Sequence, residues 1–400
     1  MIPPGHVIEP KRTDSAVDDR MKPRFTPFAL GLAICLAAST LHASDDLTVL
    51  SDEFDSAHSV TNWQRIHQVE GWGNDALQVF DINTTQPGRM TMVPHTSSWY
   101  AEWRGELTYK TVTGDFVITT DVETTGRSRV RPPMALYSLA GIMVRTPRTM
   151  TNPSQWTPGG QNYVFLSTGA ANNPGTFQYE VKTTVNSQST LYISNGAPAR
   201  SSIQVARIGP HLILLRREPG GAWQVHQRYF RPDMPATLQA GLTVYTDWPT
   251  CEAVGVQYQN QFVLTNGLRL PNGVVLNSCR PDLIASFNYV RYARPIVPAN
   301  LAGANLSNAG AVSDAQLLSF LGEAANVPGG ATPAFTESTF VAGQGFRFTL
   351  STIPGRSYRV QGSTDLQQWM TWTSFVSTGT STIIQDSSPL PFRFHRAATP

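Results

Sequence analysis

The chain is short of charge. Of its 400 residues only 14% are charged, and 30 basic residues against 28 acidic ones leave a net charge of +2. Proteins that bind nucleic acid carry a strongly basic surface, so this balance argues against a nucleic-acid partner. The chain does have apolar residues, 40% of the total, and many Gly (31) and Pro (29) residues spread along it. This composition is typical of a globular protein with many turns.

The mature part of the chain is predicted to lack a transmembrane segment. Near the N-terminus, the apolar run at residues 28–38 follows Lys22 and Arg24, and small residues ending at Ala43 come after it. The run is too short for a stable bilayer anchor. This layout predicts a secretory signal peptide over residues 21–43, so the mature protein is expected to be secreted, periplasmic or at the cell surface. Residues 1–20 have no periodicity and are predicted to be a non-native extension.

Cysteine is scarce. The chain has three, and because Cys35 lies in the predicted signal peptide, only Cys251 and Cys279 remain in the exported protein. In an oxidising compartment such a pair is more often bonded than free, which predicts a disulfide. The alternative is two small buried side chains. Two lone cysteines are too few for a structural metal site.

Strand patterns follow one another from residue 44 to residue 298, and no long helical period interrupts them. In GDFVITTDVET (residues 114–124), apolar side chains alternate with mixed ones, as in a half-buried strand. HLILLRREPGGAWQVHQRYF (residues 211–230) predicts a hairpin that reverses at Glu-Pro-Gly-Gly. Many antiparallel strands in one region indicate an all-β sandwich or jelly roll.

A change of composition divides the chain after residue 298. Residues 299–332 are rich in Ala, Asn, Gly and Ser and are predicted to be a linker. Within it, SDAQLLSFLGEA begins with Ser313 as a helix cap and predicts one short amphipathic helix. Strand patterns resume over residues 333–400, which predicts a second, small β-sandwich.

The order of several segments resembles a known superfamily. LSDEFD opens the first strand, WYAEWRGELTYKTVTGDFVITTDV and AGIMVRTP follow, and AGLTVYTDW and FNYVRYARP come later. In this order they resemble the concanavalin A-like lectin/glucanase superfamily, and within it a bacterial family of unknown function related to the C-terminal domain of β-xylosidases. The resemblance implies a concanavalin A-like jelly roll over residues 44–298. Residues 333–400 resemble a fibronectin-like C-terminal module of secreted bacterial proteins.

The resemblance does not extend to a catalytic motif. Glucanases of the superfamily place two glutamates on one strand face in Glu-x-Asp-x-x-Glu or a close variant, because a retaining mechanism needs a nucleophile and a proton donor about 5 Å apart. The chain has no such signature. Its nearest approaches are Asp121 with Glu123 and Glu102 with Glu106, both interpreted as solvated strand charges. A nucleophile elbow, a His-rich metal spacing and a phosphate loop are also missing.

One strand nevertheless carries a cation on its non-core face. In LAGIMVRTP, Arg145 lies on the side opposite Ile142 and Val144. If neighbouring strands share a curved sheet, several long polar side chains collect on its concave face. This predicted groove contains Arg145, Glu180, Lys182, Tyr245 and Asp247. The competing interpretation is a salt-bridged face exposed to solvent.

Sugar sites combine polar side chains with aromatic platforms. Four tryptophans fall in turn-rich stretches where loops could surround the groove: Trp99, Trp103, Trp156 and Trp248. Trp99 and Trp103 are therefore predicted to contact ligand together with the polar residues of the groove.

A structural calcium ion is a further expectation from the resemblance, since the superfamily often uses one to join its first strand to its last. Asp52 in LSDEFD is the predicted ligand. The closing strand has Asn288 where the resemblance leads us to expect an aspartate. No other cofactor is predicted.

These observations predict a secreted, non-catalytic protein that binds a polysaccharide or a cell-surface glycan. Two alternatives stay open. The first is a glycan hydrolase or lyase that uses an acid/base pair of another kind in the same groove. The second is a structural envelope protein without a ligand.

Overall fold

Alternating apolar and polar residues form strands along most of the chain. The structure is a computed structural model, and it describes residues 45–129, 131–323, 335–341, 345–352, 357–366, 368–377, 381–386 and 394–398. The predicted extension and signal peptide, residues 1–43, lie outside the described residues, as do residues 324–332 of the predicted linker.

The strands of the large region are β1 (Gln64–Arg65), β2 (Leu77–Ile82), β3 (Met90–Pro94), β4 (Glu106–Thr113), β5 (Phe116–Thr125), β6 (Ser138–Arg145), β7 (Tyr163–Ala170), β8 (Gln178–Val185), β9 (Gln188–Asn195), β10 (Arg200–Ile208), β11 (His211–Arg217), β12 (Gln224–Phe230), β13 (Thr237–Tyr245) and β14 (Ile284–Ala293). The helices are α1 (Ile66–Val69), α2 (Trp248–Val254), α3 (Val256–Gln261) and α4 (Asp314–Leu318). The smaller strands that follow are β15 (Phe335–Val341), β16 (Gly345–Ser351), β17 (Ser357–Ser363), β18 (Met370–Val376), β19 (Ser381–Asp386) and β20 (Phe394–Ala398).

Two seven-stranded antiparallel sheets form the large sandwich. The front sheet has the order β1-β4-β13-β6-β7-β8-β9, and the back sheet has the order β12-β11-β10-β5-β14-β3-β2. Ile142 and Val144 of β6 meet Ile118 and Val122 of β5 in the core between the sheets. The predicted all-β sandwich is confirmed, and the alternation in residues 114–124 buries the face that the pattern indicated.

The predicted hairpin at residues 211–230 is also confirmed. β11 pairs with β12, and the reversal is a tight turn in which the Gly221 amide donates to the Glu218 carbonyl at 2.9 Å. Pro219 suits the second position of such a turn, and Gly220 at the third position has φ of +74°. A positive φ there is a conformation that glycine adopts at low cost.

The short helix of the predicted linker is confirmed as α4. Ser313 caps it in a capping box with Gln316. Leu317 of α4 and Leu321, which follows the helix, are buried in one core cluster with Ile213 and Leu215 of the back sheet. Residues 299–323 thus form a third layer over part of the back sheet. The domain boundaries at residues 298 and 332 stay predictions.

The smaller strands form two three-stranded sheets, β15-β16-β19 and β18-β17-β20. Phe348 and Leu350 of the first sheet share a core with Tyr358 and Val360 of the second. This is the small β-sandwich that the sequence predicts.

None of the helices that the structure describes is long and apolar enough to cross a bilayer.

The predicted disulfide is not present. Cys251 in α2 and Cys279 are both free and buried. Burial, with the nearby charge of Asp247, raises the pKa of the Cys251 thiol well above its usual value, and burial likewise raises the pKa of Cys279. Both thiols are therefore held in their unreactive protonated form.

Thiol titration tests this correction. In protein that begins at residue 44, only Cys251 and Cys279 are left to react. We expect slow alkylation at pH 8 in the folded protein, because the thiolate is the reactive form. We also expect two reactive thiols per chain after denaturation without a reductant. A denatured, unreduced sample with no free thiol would restore the disulfide.

Candidate functional site

The residues predicted to line a groove meet on the outer face of the front sheet. Arg145 on β6, Glu180 and Lys182 on β8 and Tyr245 on β13 all lie on the side opposite the core side chains of their strands. The alternation along each strand indicated this side correctly, because successive side chains in a strand point to opposite faces. Asp247 does not join them and lies beyond the end of β13.

Glu180, Lys182 and Tyr245 form one bonded cluster. Lys182 Nζ lies 2.9 Å from Glu180 Oε1, and the Tyr245 hydroxyl donates to Glu180 Oε2 at 3.2 Å. Burial lowers the pKa of Lys182 against the opposing charge of Glu180, while burial and that same charge raise the pKa of Tyr245 well above its usual value. Ser167 lies 3.1 Å from the Tyr245 hydroxyl oxygen.

Arg145 belongs to a separate network. Its Nη1 lies 2.7 Å from Glu70 Oε1 and donates to Gln239 Oε1 at 2.7 Å, and its Nε donates to Gln161 Oε1 at 3.0 Å. Its carboxylate partner is neither Glu180 nor Asp247, the two acidic residues of the predicted groove. The carboxylate is Glu70, which follows α1 and carried no signal in the sequence.

All of these side chains are covered. Arg145, Glu180 and Tyr245 are 0% exposed, and Lys182 is 2% exposed. The cover is residues 95–105, which lie across the front sheet and place Trp99 against Tyr163 at a ring distance of 5.4 Å. The Trp99 carbonyl accepts from Lys182 Nζ at 2.6 Å. The predicted groove is therefore filled by the chain itself.

Trp99 is the centre of this cover. It was predicted to contact ligand at the edge of the groove, but it is 0% exposed. A Cβ atom at Gly105 would lie 2.5 Å from the indole ring, so only glycine allows the chain to pass this close to it. Trp99 is part of the packing and is out of reach of any ligand at the surface.

The helices after β13 hold the cover in place. Asn260 accepts from the Arg104 amide and donates to the Glu102 carbonyl, both at 2.8 Å. Asp247 accepts from the Thr96 hydroxyl at 2.7 Å and from the Arg280 amide at 2.7 Å. Asp247 was predicted to bind ligand, but in the structure its carboxylate accepts hydrogen bonds from these two protein groups.

A cluster of partly exposed aromatic rings lies where the cover meets α2. This aromatic rim consists of Tyr100, Trp103 and Trp248. The ring centroids of Trp103 and Trp248 are 5.2 Å apart, and those of Tyr100 and Trp248 are 5.3 Å apart. Trp103 and Trp248 were predicted near the groove. Tyr100 was missed, although its place beside Trp99 in WYAEW was the available signal.

The fourth tryptophan of the predicted set is held by Glu102. Trp156 donates through Nε1 to Glu102 Oε2 at 3.0 Å. Arg148 lies 3.6 Å from the same carboxylate oxygen. Trp156 is partly exposed, and this contact fastens its loop to the cover.

The carboxylates that come closest to a glucanase motif in the sequence are paired with basic side chains. Burial opposes ionisation of Glu106, but the neighbouring His67 and the guanidinium groups of Arg104 and Arg65 outweigh burial and lower the pKa of Glu106 to about 2. Asp121 and Glu123 lie on the back sheet, paired with Arg200 at 2.5 Å and with Arg89 at 3.1 Å. A general acid must carry a proton near neutral pH, which Glu106 does not.

The oxygens of Asp52 are engaged by protein donors. Oδ2 accepts from Trp63 Nε1 at 3.0 Å, and Oδ1 accepts from the Phe54 amide at 2.9 Å. Residues 52 and 53 are joined to β14, the last strand of the large sandwich. Asp52 and Val290 exchange backbone hydrogen bonds, and Glu53 accepts from two nitrogens of Arg291 at 2.7 and 2.8 Å. Backbone hydrogen bonds and an ion pair thus join the two segments, and a calcium ion at Asp52 stays a prediction.

One group of side chains has the composition of a metal site. Ligand atoms of His67, Asp75 and Glu106 lie within 4.8 Å of one another. Arg65 Nη2 lies 2.6 Å from Asp75 and 3.5 Å from Glu106 Oε2, and Arg104 lies 3.1 Å from Glu106 Oε1. Two guanidinium groups already neutralise these carboxylates.

Comparison with known proteins gives structural similarity only. No protein-family model matches the chain. No curated protein matches it either. Similar solved structures include a functionally unknown protein from Saccharomyces cerevisiae, 12% identical with a TM-score of 0.38 over 59% of this chain and 98% of that chain.

Two further similar structures come from carbohydrate-related proteins. One is xylan β-1,4-xylosidase from Bacillus halodurans C-125, 12% identical with a TM-score of 0.39 over 61% of this chain and 39% of that chain. The chain thus spans about two fifths of the xylosidase. The other is a legume lectin-like domain from Entamoeba histolytica, 7% identical with a TM-score of 0.37 over 62% of this chain and 97% of that chain. Similarities this low do not bear on function, which must come from the site.

Proposed function

We propose that this protein is an exported, non-catalytic carbohydrate-binding protein whose sugar contacts lie on the aromatic rim. The observation that carries the proposal is the clustering of three partly exposed rings, Tyr100 and Trp103 of the cover and Trp248 of α2. Aromatic rings provide a flat apolar surface for the C–H face of a pyranose, and their polar edges can bond to hydroxyls.

The backbone supports this assignment, because strained residues present the rings. Ala101, between Tyr100 and Trp103, has φ of +47°, and Asp247, immediately before Trp248, has φ of +68°. For an alanine this conformation costs about 1–2 kcal/mol. Strain of this kind concentrates where geometry serves binding. Asp247 thereby keeps a place in the proposed site, as the residue that positions Trp248.

The charges support binding over catalysis. A glycosidase needs one carboxylate free to attack and another that holds a proton. Glu180 is ion-paired with Lys182, Glu70 is ion-paired with Arg145, and Glu106 has a pKa of about 2. All three are buried beneath the cover or beside it.

Affinity electrophoresis against soluble polysaccharides tests the proposal. We expect retardation by at least one of them, and we expect Trp103→Ala and Trp248→Ala each to weaken binding about tenfold, the equivalent of one lost stacking contact. Tyr192→Ala is the matched control, because Tyr192 is 59% exposed on the edge strand β9, far along the sheet order from β13. Reducing-sugar release from the same polysaccharides should be at background.

Two results would contradict the proposal. If no polysaccharide retards the protein, or if the rim variants bind like the control, the rim is not a sugar site. Reducing-sugar release that disappears in Glu180→Gln would instead support the hydrolase or lyase alternative.

A further inference from the structure

The described residues cover only part of the outer face of the back sheet. Residues 299–323 pack over the end that carries Ile213 and Leu215. The other end holds a cleft of about 480 Å³, lined by five polar side chains and a glycine-rich turn: Asp121, Arg200, Ser202, Arg217, Glu218 and the adjoining Pro219–Gly221. Small-molecule sites typically enclose roughly 300–1,000 Å³. We propose that this cleft is a second binding site, for a neutral polyhydroxylated ligand of the saccharide class.

The floor of the cleft offers an acceptor beside free donors. Asp121 Oδ1 accepts from Arg200 Nε at 2.5 Å, and Oδ2 accepts from the Ser202 hydroxyl at 3.1 Å. The Arg200 side chain is 46% exposed. Among the described residues, the two terminal nitrogens of Arg200 have no hydrogen-bonding partner. A ligand can therefore accept from Arg200 while it donates to the remaining lone pairs of Asp121.

The wall of the cleft is braced. Arg217 lies over the Trp223 ring at 4.9 Å, and its Nη1 bonds to Glu323 Oε2 at 2.7 Å. Trp223 Nε1 donates to the same oxygen at 3.1 Å, so arginine and indole are held together. A pre-formed wall lowers the entropic cost of binding.

The charges of the lining select the class of ligand. Two ion pairs of opposite charges lie in or beside the cleft: Asp121 with Arg200 at 2.5 Å, and Glu323 with Arg217 at 2.7 Å. The carboxylates would repel an anionic ligand and the arginines would repel a cationic one, so repulsion would offset part of the attraction in both cases. A hydroxyl group donates to a carboxylate and accepts from a guanidinium. Adjacent hydroxyls on a neutral sugar ring satisfy both kinds of partner at once.

Saturation-transfer NMR on the full chain tests the cleft apart from the rim. The probes are cellobiose, xylobiose, maltose and N,N′-diacetylchitobiose, with glucuronic acid and glucosamine as charged comparisons. Every titration is made in the Trp103→Ala background, so that the rim contributes as little as possible. We expect at least one neutral disaccharide to bind, and Arg200→Met and Arg217→Met each to weaken that binding about tenfold through the loss of hydrogen bonds to a charged group.

Arg131→Met is the matched control, because Arg131 is exposed and its guanidinium contacts only Ser128, at 3.3 Å, among the described residues. Three results would overturn the proposal: no neutral disaccharide binds in the Trp103→Ala background, the Arg200 and Arg217 variants bind like the control, or glucuronic acid or glucosamine binds more tightly than every neutral sugar. The two sites are assessed by different variants, so failure of the rim leaves the test of the cleft intact.

Discussion

Arg145→Met is expected to lower the free energy of unfolding by about 3–5 kcal/mol, the usual cost of removing one partner of a buried ion pair. Arg145 and Glu70 are both 0% exposed, and Nη1 and Oε1 are 2.7 Å apart. Methionine keeps the apolar stem of the side chain and removes the guanidinium. Among the described residues, the one hydrogen bond that then remains to the buried Glu70 carboxylate comes from Trp72 Nε1 at 2.9 Å.

Denaturant titration measures the effect, with the midpoint read at constant slope so that the change refers to stability. The double variant Arg145→Met with Glu70→Gln should recover much of the loss, since no buried charge is then left without a partner. Arg294→Met is the matched control. Arg294 pairs with Asp46 at 2.8 Å, with side chains 35% and 67% exposed, and such surface pairs contribute roughly 0–1 kcal/mol. A loss of less than about 1 kcal/mol in Arg145→Met would place this arginine in contact with solvent after all.

This expectation reverses what a strand pattern alone indicates for Arg145. Alternation along β6 correctly places the side chain opposite Ile142 and Val144, because that choice depends on neighbours one residue away. Alternation cannot tell whether the opposite face meets solvent or another part of the chain. That outcome depends on Trp99, which lies far from Arg145 in sequence and reaches it only in the folded protein.

The same limit applies to the other polar residues of the sheet face. Glu180, Lys182 and Tyr245 were predicted to share a face, and they do. The cover that buries them is fastened by Asn260, whose two hydrogen bonds to it join residues that lie 156 and 158 positions apart in the sequence. No short motif records such a contact. Strands, the hairpin turn and the Ser313 cap are local features, and all of them could be predicted.

The connection between Glu53 and β14 shows a second limit of prediction from the sequence. A resemblance suggested calcium because related folds need the two segments held together. The structure joins them through Glu53 and Arg291, which form a bidentate ion pair. Arginine and a carboxylate match one another in geometry, so both hydrogen bonds can form at once. The residues around Glu53 do not reveal this ion pair, because its arginine lies 238 positions later in the sequence.

The two proposed binding surfaces differ from the groove that the sequence predicted. The proposed rim uses partly exposed rings, two from the cover and Trp248 from α2, and the proposed back-sheet cleft uses paired charges. If both bind sugars, one molecule could engage two glycan segments, and linked sites raise apparent affinity without any new contact.

Acidification from pH 6.5 to pH 4 is expected to remove about 3 kcal/mol of stability through His226 alone. His226 lies on β12, its Nε2 is buried without a hydrogen-bonding partner, and its ring is 5.5 Å from that of Tyr179. Burial, followed by the charge of Arg216, lowers its pKa from 6.5 to about 4. Arg216 lies over the same Tyr179 ring at 4.5 Å, and its ion-pair partner among the described residues is the half-exposed Glu218 at 3.5 Å.

The sign follows from the lowered pKa of His226. Between pH 6.5 and pH 4 the unfolded chain binds a proton that the folded protein does not, so stability is complete above pH 6.5 and falls as the pH drops towards 4. His226→Gln removes the titrating group, and its unfolding free energy should therefore fall by about 3 kcal/mol less than that of the wild type over this interval. Denaturant titrations at pH 7, 5.5 and 4 measure the difference. The matched control is His58→Gln, a substitution at an exposed histidine, which should leave the wild-type pH dependence in place. Parallel curves for the wild type and His226→Gln would mean that His226 is already in contact with water in the folded protein.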